Sequence, residues 1–571
     1  MKNKELAEIF KNIADMLEIN DENKFRVHAY RRAAQSLEGL SQDVADYGKT
    51  HSFDEIPGIG KDLKEKIQEY VKSGKIGFYE KLLEGVPRPI LDFMKIPGVG
   101  PKTASMIYRK LKIKNLDDLQ FKAKSGKIKN IDGIKEKTIK NILRGINFLK
   151  KSEGLTPINI AMDNAKSIVG LLKKNTKISS IEYAGSLRRM KEKVRDIDVV
   201  ACSDNSNKTM EYFTSMPVCT NVLVKGKTKS SIMTTSGMQV DLRVVNSQSY
   251  GAALSYLTGS KEHNVRLREI AVTKGLKINE YGVFKAGTNK QIAGITEKSI
   301  YDVLGMSFVP PEMRENRGEV ELALKNKLPK LVTLNDIKSD LHMHTEESDG
   351  VLSLSEIVDI CQQKGYKYIA ITDHSQILKI AGGLSAKRLF GQIKKIEKIN
   401  KKNKKIKLLK GCEVDVLSDG KLDFGNEVLK ELDFAIASIH SGFTQSKDKL
   451  TSRIMKAMDN KHINMIGHPT GRLAGVRQGY EIDIMKILRH AKDTNTSIEI
   501  NCHPDRLDLN DVNVKLAKEM GVSIGLATDS HTKEQFDNIY YGLGVARRGW
   551  LEKKDILNSL SLKEFFKRIK K

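Results

Sequence analysis

The sequence of 571 residues lacks any uninterrupted apolar run of about 18 residues, the length that a membrane-spanning helix needs. Its first residues, Met1-Lys2-Asn3-Lys4-Glu5, lead into an amphipathic helical pattern rather than the apolar core of a signal peptide. Cysteine is scarce, with five scattered residues and no Cys-x-x-Cys pair, which argues against zinc fingers and disulfide frameworks. We therefore expect a cytoplasmic protein with reduced thiols and no membrane association.

Positive charge is abundant by contrast. Lys and Arg total 98 against 71 Asp and Glu, which gives a formal net charge of +27. A field of this sign attracts polyanions such as nucleic acid, and an anionic membrane surface would satisfy it as well. The length exceeds what one hydrophobic core supports and predicts roughly three to five domains.

Two glycine-containing segments in the lysine-rich, helical first 150 residues are near copies of each other. They read Ile-Pro-Gly-Ile-Gly-Lys from residue 56 and Ile-Pro-Gly-Val-Gly-Pro-Lys from residue 96. In a helix-hairpin-helix, glycines allow a tight turn against DNA, and amides at the next helix N-terminus meet a phosphate oxygen. One such segment is equally typical of an ordinary helix connection, but a repeat favours backbone contacts without sequence preference. The candidate DNA-binding residues are Gly58, Gly60, Lys61, Gly98, Gly100 and Lys102.

The segment after residue 184 combines a Gly-Ser turn, two arginines and a pair of acids. Asp196 and Asp198 are two residues apart on a predicted strand, so both project from the same face. Neighbouring carboxylates repel each other unless a hard cation such as Mg²⁺ lies between them. A third acid, Asp241, lies in a second alternating run. The pattern predicts a two-metal phosphoryl-transfer site in a mixed α/β unit, although Asp-x-Asp alone also fits a solvated strand face.

The last segment, from about residue 337 to 571, contains nine of the 12 histidines. Short apolar runs recur there, separated by helical stretches, and each run ends in a potential metal ligand. This order predicts a closed parallel α/β barrel, in which side chains at the C-terminal ends of strands gather on one face. A single histidine would more often be a core or surface residue, but the number of strand-end residues favours metal binding. The runs end at Asp373-His374, Glu413, His440, His468 and Asp529-Ser530-His531.

Together these motifs resemble the bacterial and archaeal family X DNA polymerases that join a polymerase-beta-like core to a polymerase and histidinol phosphatase (PHP) domain. The resemblance covers essentially the whole chain. It implies helical helix-hairpin-helix N-terminal domains, a nucleotidyltransferase palm with a thumb, and a C-terminal distorted (β/α) barrel of PHP type. The implied domains are lyase-like 1–85, fingers 86–150, palm 151–245, thumb 246–318, linker 319–336 and PHP 337–571.

By this resemblance, each part of an incoming dNTP has its own contacts. The phosphates would meet Ser186 and Arg189, and the sugar would meet Tyr256 and Gly259. Leu257 stands where many relatives carry an aromatic residue, which leaves the strictness of ribose exclusion open. The implied nucleotide-binding residues are Gly185, Ser186, Arg189, Tyr256, Gly259, Asn264 at the base edge and Arg268 on the template side.

The resemblance also implies two kinds of metal site. The catalytic Asp196, Asp198 and Asp241 would hold Mg²⁺. A PHP cluster of two or three Mn²⁺, Zn²⁺ or Fe²⁺ ions would serve 3′–5′ exonuclease, 3′-end processing, abasic-site cleavage or phosphomonoester hydrolysis, since imidazole-rich sites disfavour Mg²⁺. Arg506 is either a phosphate contact or a surface arginine. The implied PHP ligands are His342, His344, Asp349, His374, Glu413, His440, His468, Asp529 and His531.

Lys66 matches the lysine that forms a Schiff base with an abasic sugar in polymerase-beta-type enzymes. A lysine attacks an aldehyde as the free amine, so this role would give the chain abasic-site lyase activity. A lysine on a basic helix is more often a simple phosphate contact, and that alternative stays open.

The implied function is a monomeric DNA repair polymerase that fills short gaps in gapped or primed double-stranded DNA and carries a nuclease on the same chain. Two other functions fit part of the sequence: a nucleotidyltransferase acting on a non-DNA substrate, and a non-catalytic DNA-binding repair scaffold. The presence of all three aspartates argues against the scaffold. The two hairpins favour DNA as the substrate.

Overall fold

The computed structural model describes residues 2–570 apart from 39–42, 57, 95, 97–98, 132–133, 135, 137, 141, 144, 147–153, 289 and 474–476. The predicted DNA-binding residue Gly98 and the predicted domain boundary at residue 150 lie outside the described residues. In the described part, no helix combines the length and apolar character needed to cross a membrane.

The N-terminal region is helical. Its apolar side chains form two clusters of buried residues. The first contains residues between Leu6 and Ile76, and the second contains Met16 and Ile19 together with residues between Val86 and Ile146. The helices up to residue 124 are α1 Lys2–Ile19, α2 Lys24–Glu38, α3 Val44–Thr50, α4 Lys61–Ser73, α5 Gly77–Gly85, α6 Arg88–Met94, α7 Pro101–Leu111 and α8 Leu116–Lys124.

The predicted internal repeat is present in the backbone of both hairpins. The Ile59 amide donates to the Ile56 carbonyl at 3.0 Å, and the Val99 amide donates to the Ile96 carbonyl at 2.9 Å. A glycine then precedes each following helix, α4 or α7, as its N-cap. The same turn is thus used twice.

A five-stranded sheet, which we call the palm sheet, follows. The parallel neighbours β4 and β7 lie at its centre. The strands in spatial order are β2 (Ser180–Tyr183), β4 (Asp196–Cys202), β7 (Gln239–Val245), β6 (Lys229–Thr234) and β5 (Cys219–Lys225). At the start of β4, apolar side chains alternate with the two aspartates, so one face is buried there and the other is available for the site. The elements are β1 Thr156–Pro157, α9 Ile158–Asn175, β2 Ser180–Tyr183, α10 Gly185–Arg188, β3 Lys193–Val194, β4 Asp196–Cys202, α11 Ser206–Ser215, β5 Cys219–Lys225, β6 Lys229–Thr234 and β7 Gln239–Val245.

The next unit combines helices with a three-stranded antiparallel sheet. The segment 319–336 begins with a helix whose Val320 and Ala323 are buried in the same cluster as Leu267 and Trp550. This stretch therefore packs against both neighbours. The elements are α12 Tyr250–Thr258, α13 Lys261–Thr273, β8 Leu276–Asn279, β9 Gly282–Lys285, β10 Gln291–Ala293, α14 Glu297–Val303 and α15 Glu319–Leu324.

The C-terminal region is the predicted parallel α/β barrel. Seven strands pair in sequence order, and a bridge between Met343 and Ser530 joins the two ends of the sheet. Strands such as Tyr368–Ile371 are buried along their whole length, as expected for a parallel sheet covered by helices. The strands are β11 Ser339–Asp340, β12 Tyr368–Ile371, β13 Lys407–Asp415, β14 Phe434–Ser438, β15 Met465–Ile466, β16 Ser497–Asn501 and β17 Ile524–Ala527. The helices are α16 Leu354–Gln363, α17 Ala386–Lys402, α18 Asn426–Leu429, α19 Lys447–Met458, α20 Ile484–Asp493, α21 Asp511–Met520, α22 Ile539–Arg548 and α23 Leu562–Ile569.

Candidate metal centres and nucleotide pocket

The three predicted catalytic aspartates lie on adjacent strands of the palm sheet. Asp196 and Asp198 are on β4, and Asp198 is the register partner of Asp241 on β7. Burial, reinforced by the charges of Asp196 and Asp241, raises the pKa of Asp198 to about 7. A set of crowded carboxylates without nitrogen or sulfur ligands fits a hard divalent cation. Asp196, Asp198 and Asp241 would hold it.

Asp241 is positioned by two side chains that the sequence did not single out. Its Oδ1 accepts a hydrogen bond from Gln239 Nε2 at 2.8 Å, and its Oδ2 pairs with Lys229 Nζ at 3.2 Å. Lys229 begins the neighbouring strand β6, and its ammonium supplies positive charge beside the acids. Cross-strand pairing of this kind is not visible in a local sequence pattern.

A cavity of about 370 Å³ opens beside these acids. All seven predicted nucleotide-binding residues line it, although the segments that supply them are far apart in the sequence. Leu257, Ser260 and Lys261 add to its wall, whereas Asp241 is not among the lining residues. The residues that line the cavity are Gly185, Ser186, Arg189, Asp196, Asp198, Tyr256, Leu257, Gly259, Ser260, Lys261, Asn264 and Arg268.

Close backbone packing shapes this cavity. Gly185 has φ +62°, and a Cβ at this position would lie 2.3 Å from Asp198 Oδ2, so a larger residue would displace the acid. Arg189 donates from Nη1 to the Thr258 carbonyl at 2.5 Å and from Nε to Glu315 Oε1 at 3.0 Å. These bonds hold its guanidinium at the wall of the cavity.

The nine predicted PHP ligands converge in the barrel. Glu413 lies at their centre, and its two carboxylate oxygens are 2.8 to 3.7 Å from nitrogens of five histidines: His342, His344, His374, His440 and His468. Asp349 has oxygens 3.3 to 3.6 Å from nitrogens of three histidines: His344, His374 and His531. Burial would raise the pKa of Glu413, but the surrounding imidazoles, led by His440 and His342, hold it well below its usual range.

The donor set of the barrel fits divalent metal ions. His342 Nε2 and His344 Nδ1 are buried and make no hydrogen bond, which is the state of a ring nitrogen aimed at a metal. Potential ligand atoms form three overlapping groups, each with all atoms within 4.8 Å of one another: His344, Asp349, His374 and His531; His342, His344 and Asp529; and His374, Glu413 and His440. Because these groups share His344 and His374, they form one continuous cluster of potential ligands.

Two buried carboxylates orient histidines of the cluster. Glu499 Oε1 lies 2.7 Å from His342 Nδ1, and Asp415 Oδ2 lies 3.0 Å from His440 Nδ1. A carboxylate on one ring nitrogen directs the other nitrogen to a metal and raises its basicity. Neither residue stands out in the sequence motifs, although a lone acid in the apolar run Ile498-Glu499-Ile500 is a usable signal.

The cluster opens into a cavity of about 660 Å³ with both apolar and cationic walls. Leu378 and Ile380 form part of its apolar side, and Lys11 and Arg31 of the N-terminal helices reach its rim. Arg506 lines the same cavity, with Nε 3.6 Å from Asp529 Oδ2, and this position favours the phosphate contact over a surface arginine without a role. Asp15 also lines the cavity and lies 3.1 Å from Arg31 Nη2, so the walls combine apolar, cationic and acidic side chains.

The remaining predicted residues lie in the N-terminal region. Gly60 and Gly100 face open space, and Lys61 and Lys102 are exposed, so both hairpins are accessible to DNA. Lys66 is largely covered, with Nζ 2.5 Å from Asp62 Oδ1 and 5.2 Å from the centre of the Phe78 ring. The ammonium of Lys66 is therefore paired with a carboxylate.

Four family models match the sequence. A helix-hairpin-helix domain covers residues 1–76, and a SAM-like helix-hairpin-helix tandem covers 90–147. The DNA polymerase beta thumb matches 253–315, and the PHP domain matches 340–503. The predicted fold class is thus confirmed, and these domains together imply DNA binding and the use of divalent metal ions.

Relatives extend the likeness to the full length. The chain is 38% identical over 566 residues to the DNA polymerase/3′-5′ exonuclease PolX of Bacillus subtilis (strain 168), covering 99% of this chain and 98% of that protein. It is 31% identical over 245 residues to a probable phosphatase of Thermoanaerobacter sp. (strain X514), covering 41% of this chain and 95% of that protein. The geometry and the full-length match lead to one conclusion: the chain belongs to the family X DNA polymerases that carry a C-terminal PHP domain.

Proposed function

We propose that this chain is a DNA polymerase that fills short gaps during DNA repair and that its PHP barrel removes nucleotides from 3′ ends. The observation that carries the polymerase half is the cavity in which Asp196 and Asp198 meet the seven predicted nucleotide-binding residues. The name of the Bacillus subtilis relative, a DNA polymerase/3′-5′ exonuclease, supports both halves. We expect the protein to act as a cytoplasmic monomer on gapped or primed duplex DNA with dNTPs.

In the proposed polymerase step, Ser186 and Arg189 bind the phosphates of the dNTP, and Tyr256 and Gly259 border its sugar. When bound at the three aspartates, Mg²⁺ would activate the attacking oxygen and stabilise the leaving one. The carboxylates would hold the ions, while Arg189 and Lys261 on the cavity wall would offset the negative charge that builds up on the phosphates. Gly185 lets the backbone approach this centre closely.

In the proposed nuclease step, the barrel holds the phosphodiester between the ligand cluster and Arg506. Mn²⁺, Zn²⁺ or Fe²⁺ held by the nine ligands would supply Lewis acidity and a water of lowered pKa. Leu378 and Ile380 offer an apolar surface on which the terminal base can rest. Lys11 and Arg31 line the same cavity and would contact phosphates further along the strand, where Arg31 is also paired with Asp15 and Glu18.

A phosphomonoesterase is the second candidate for the barrel. The likeness of this region to a probable phosphatase favours it. Digestion of 3′-end-labelled DNA separates the two reactions, since an exonuclease releases labelled nucleotide and a phosphatase acts only on a terminal phosphate. Release of inorganic phosphate from 3′-phosphorylated DNA without shortening of the strand would favour the phosphatase.

The N-terminal hairpins would contact the DNA backbone on either side of the gap.

We propose the domain division 1–85, 86–150, 151–245, 246–318, 319–336 and 337–571. Lyase activity of Lys66 stays a prediction, and trapping of an abasic-site duplex with borohydride tests it.

The two centres should differ in their metal requirement. After chelation of all divalent ions, Mg²⁺ should restore primer extension, because the palm site offers oxygen ligands alone. Mn²⁺ should restore strand shortening at least about tenfold better than Mg²⁺, since the barrel is rich in imidazole. Titrating each ion against both activities on one DNA substrate checks this. Identical metal profiles for the two activities would indicate a single centre.

Replacing Lys61 and Lys102 together with alanine should weaken binding to gapped duplex by about tenfold at moderate salt, because two phosphate contacts are lost. The slope of the logarithm of the binding constant against the logarithm of the salt concentration should become less steep by about 2. The loss should not depend on DNA sequence. Fluorescence anisotropy at several salt concentrations measures both quantities. The matched control is the double replacement Lys401→Ala and Lys402→Ala at the exposed end of α17. It removes the same two positive charges from the protein. An equal effect of both variants would mean that only net charge matters.

A further inference from the structure

A buried arginine of the barrel reaches the nucleotide pocket of the palm. Arg548 ends α22, and only 4% of the residue is exposed. Its Nη1 donates to the backbone carbonyl of Arg189 at 2.6 Å and to Glu315 Oε1 at 2.9 Å. Its Nη2 donates to Asp511 Oδ2 at 2.8 Å. One side chain thus joins the barrel to a residue that lines the proposed dNTP site.

Arg189 and Arg548 share one acid. Glu315 Oε1 accepts from Arg189 Nε at 3.0 Å and from Arg548 Nη1 at 2.9 Å, and Lys191 Nζ lies 3.8 Å from Oε2. Glu315 and Arg189 are both largely buried, so water screens the pair weakly. Without Arg548, the carboxylate would face Arg189 directly and Lys191 only at 3.8 Å, and it would neutralise more of the charge of the Arg189 guanidinium. A second arginine offsets this and leaves Arg189 positive toward a triphosphate.

The backbone around this contact is closely fitted. A Cβ on Gly544 of α22 would lie 2.5 Å from Met190 Cε and 3.0 Å from Met190 Cβ, so glycine lets the helix touch the palm loop. Met190 itself has φ +56°, an uncommon conformation for this residue type. A second ion pair, Arg472 Nη2 to Glu192 Oε1 at 2.7 Å, lies a few residues further along the loop. The barrel therefore supports the loop that carries Arg189.

We propose that Arg548 of the PHP barrel is a positioning residue for dNTP binding in the palm: it holds the Arg189 backbone and offsets the charge of Glu315. This inference rests on the proposed polymerase function. It assigns the barrel a part in polymerisation that is separate from its own metal cluster.

The test is Arg548→Met in the full-length chain, assayed by steady-state single-nucleotide gap filling. We expect the KM for dNTP to rise about tenfold with a smaller change in kcat, because a charged hydrogen bond and a favourable field at the phosphates are lost. Asp511 keeps Arg317 as an ion partner at 2.9 Å, so the substitution leaves no isolated charge there. Wild-type extension tests the polymerase function separately from this inference.

Two further variants separate charge from mere packing. Arg548→Met combined with Glu315→Gln should bring the KM for dNTP most of the way back to the wild-type value, because the carboxylate charge that neutralises Arg189 is removed. Arg547→Met is the matched control, since Arg547 lies on the same helix but binds Glu312 at 2.7 Å and the Val332 carbonyl at 2.9 Å. It should leave the KM for dNTP unchanged.

An unchanged KM in Arg548→Met would overturn the proposal, as would an equal rise in Arg547→Met or a failure of Glu315→Gln to rescue. If Arg548→Met does not fold, as judged by thermal unfolding, Arg548→Lys replaces it. A lysine keeps the charge but cannot make all three bonds at once, so we expect a smaller rise in KM. No rise in a folded Arg548→Lys protein would likewise contradict the proposal.

Discussion

Replacing Asp198 with alanine should lower the rate of primer extension by roughly 10⁴-fold, the effect typical of losing one member of a catalytic unit. Asp198 lies between the other two acids, as the neighbour of Asp196 on its own strand and the register partner of Asp241. Its loss would leave a divalent ion with too few oxygens to hold it. Gap filling with excess enzyme, followed on a denaturing gel, measures the effect.

The fold should tolerate this change. Like charges close together are destabilising in the absence of metal, so removing one of three crowded acids should not lower the thermal unfolding temperature. Asp204→Ala, at an exposed acid just beyond the same strand, is the matched control and should extend primers normally. Extension within a few-fold of wild type by Asp198→Ala would mean that the palm acids are not the catalytic centre.

Replacing Glu413 with glutamine should lower strand shortening from the 3′ end by more than about 100-fold, because this carboxylate lies within reach of five imidazoles and a metal cluster depends on its charge. Glutamine has nearly the same volume, so the buried site keeps its packing. Primer extension should persist, since the palm acids belong to a different sheet. Release of nucleotide from 3′-labelled single-stranded DNA in Mn²⁺ measures the loss.

The matched control for this variant is Glu431→Gln, the same substitution at an exposed position of the barrel. It should leave both activities unchanged. If Glu413→Gln shortens DNA at the wild-type rate, the barrel cluster does not carry the hydrolysis. Loss of both activities, with normal thermal unfolding, would show that the two centres cannot be separated.

The sequence predicted those features that depend on local periodicity. Strand alternation was sufficient to group Asp196 with Asp198, and the position of ligands at the ends of apolar runs indicated the barrel that the structure contains. The repeated glycine turns of the hairpins were equally readable, because a tight turn requires glycine at fixed positions. The roles of the nucleotide-binding residues came from resemblance instead.

The features that the sequence did not reveal are contacts through space. Glu499 and Asp415 orient histidines that lie 157 and 25 residues away, respectively, and Lys229 pairs with Asp241 across two strands. The contact between Arg548 and Arg189 spans 359 residues. No periodicity encodes such a pairing, since it depends on how segments that are distant in the sequence pack together. The residues that orient the ligands of both centres are therefore visible in the structure but not in the sequence motifs.

The most direct test of two independent centres on one chain is a single assay on gapped duplex DNA with a labelled primer. With dNTPs, Mg²⁺ and Mn²⁺ present, the wild type should both lengthen and shorten the primer strand. Asp198→Ala should give only shorter products, and Glu413→Gln should give only longer ones. If either variant still gave both product classes, or if a folded variant gave neither, the chain would not contain two independent centres.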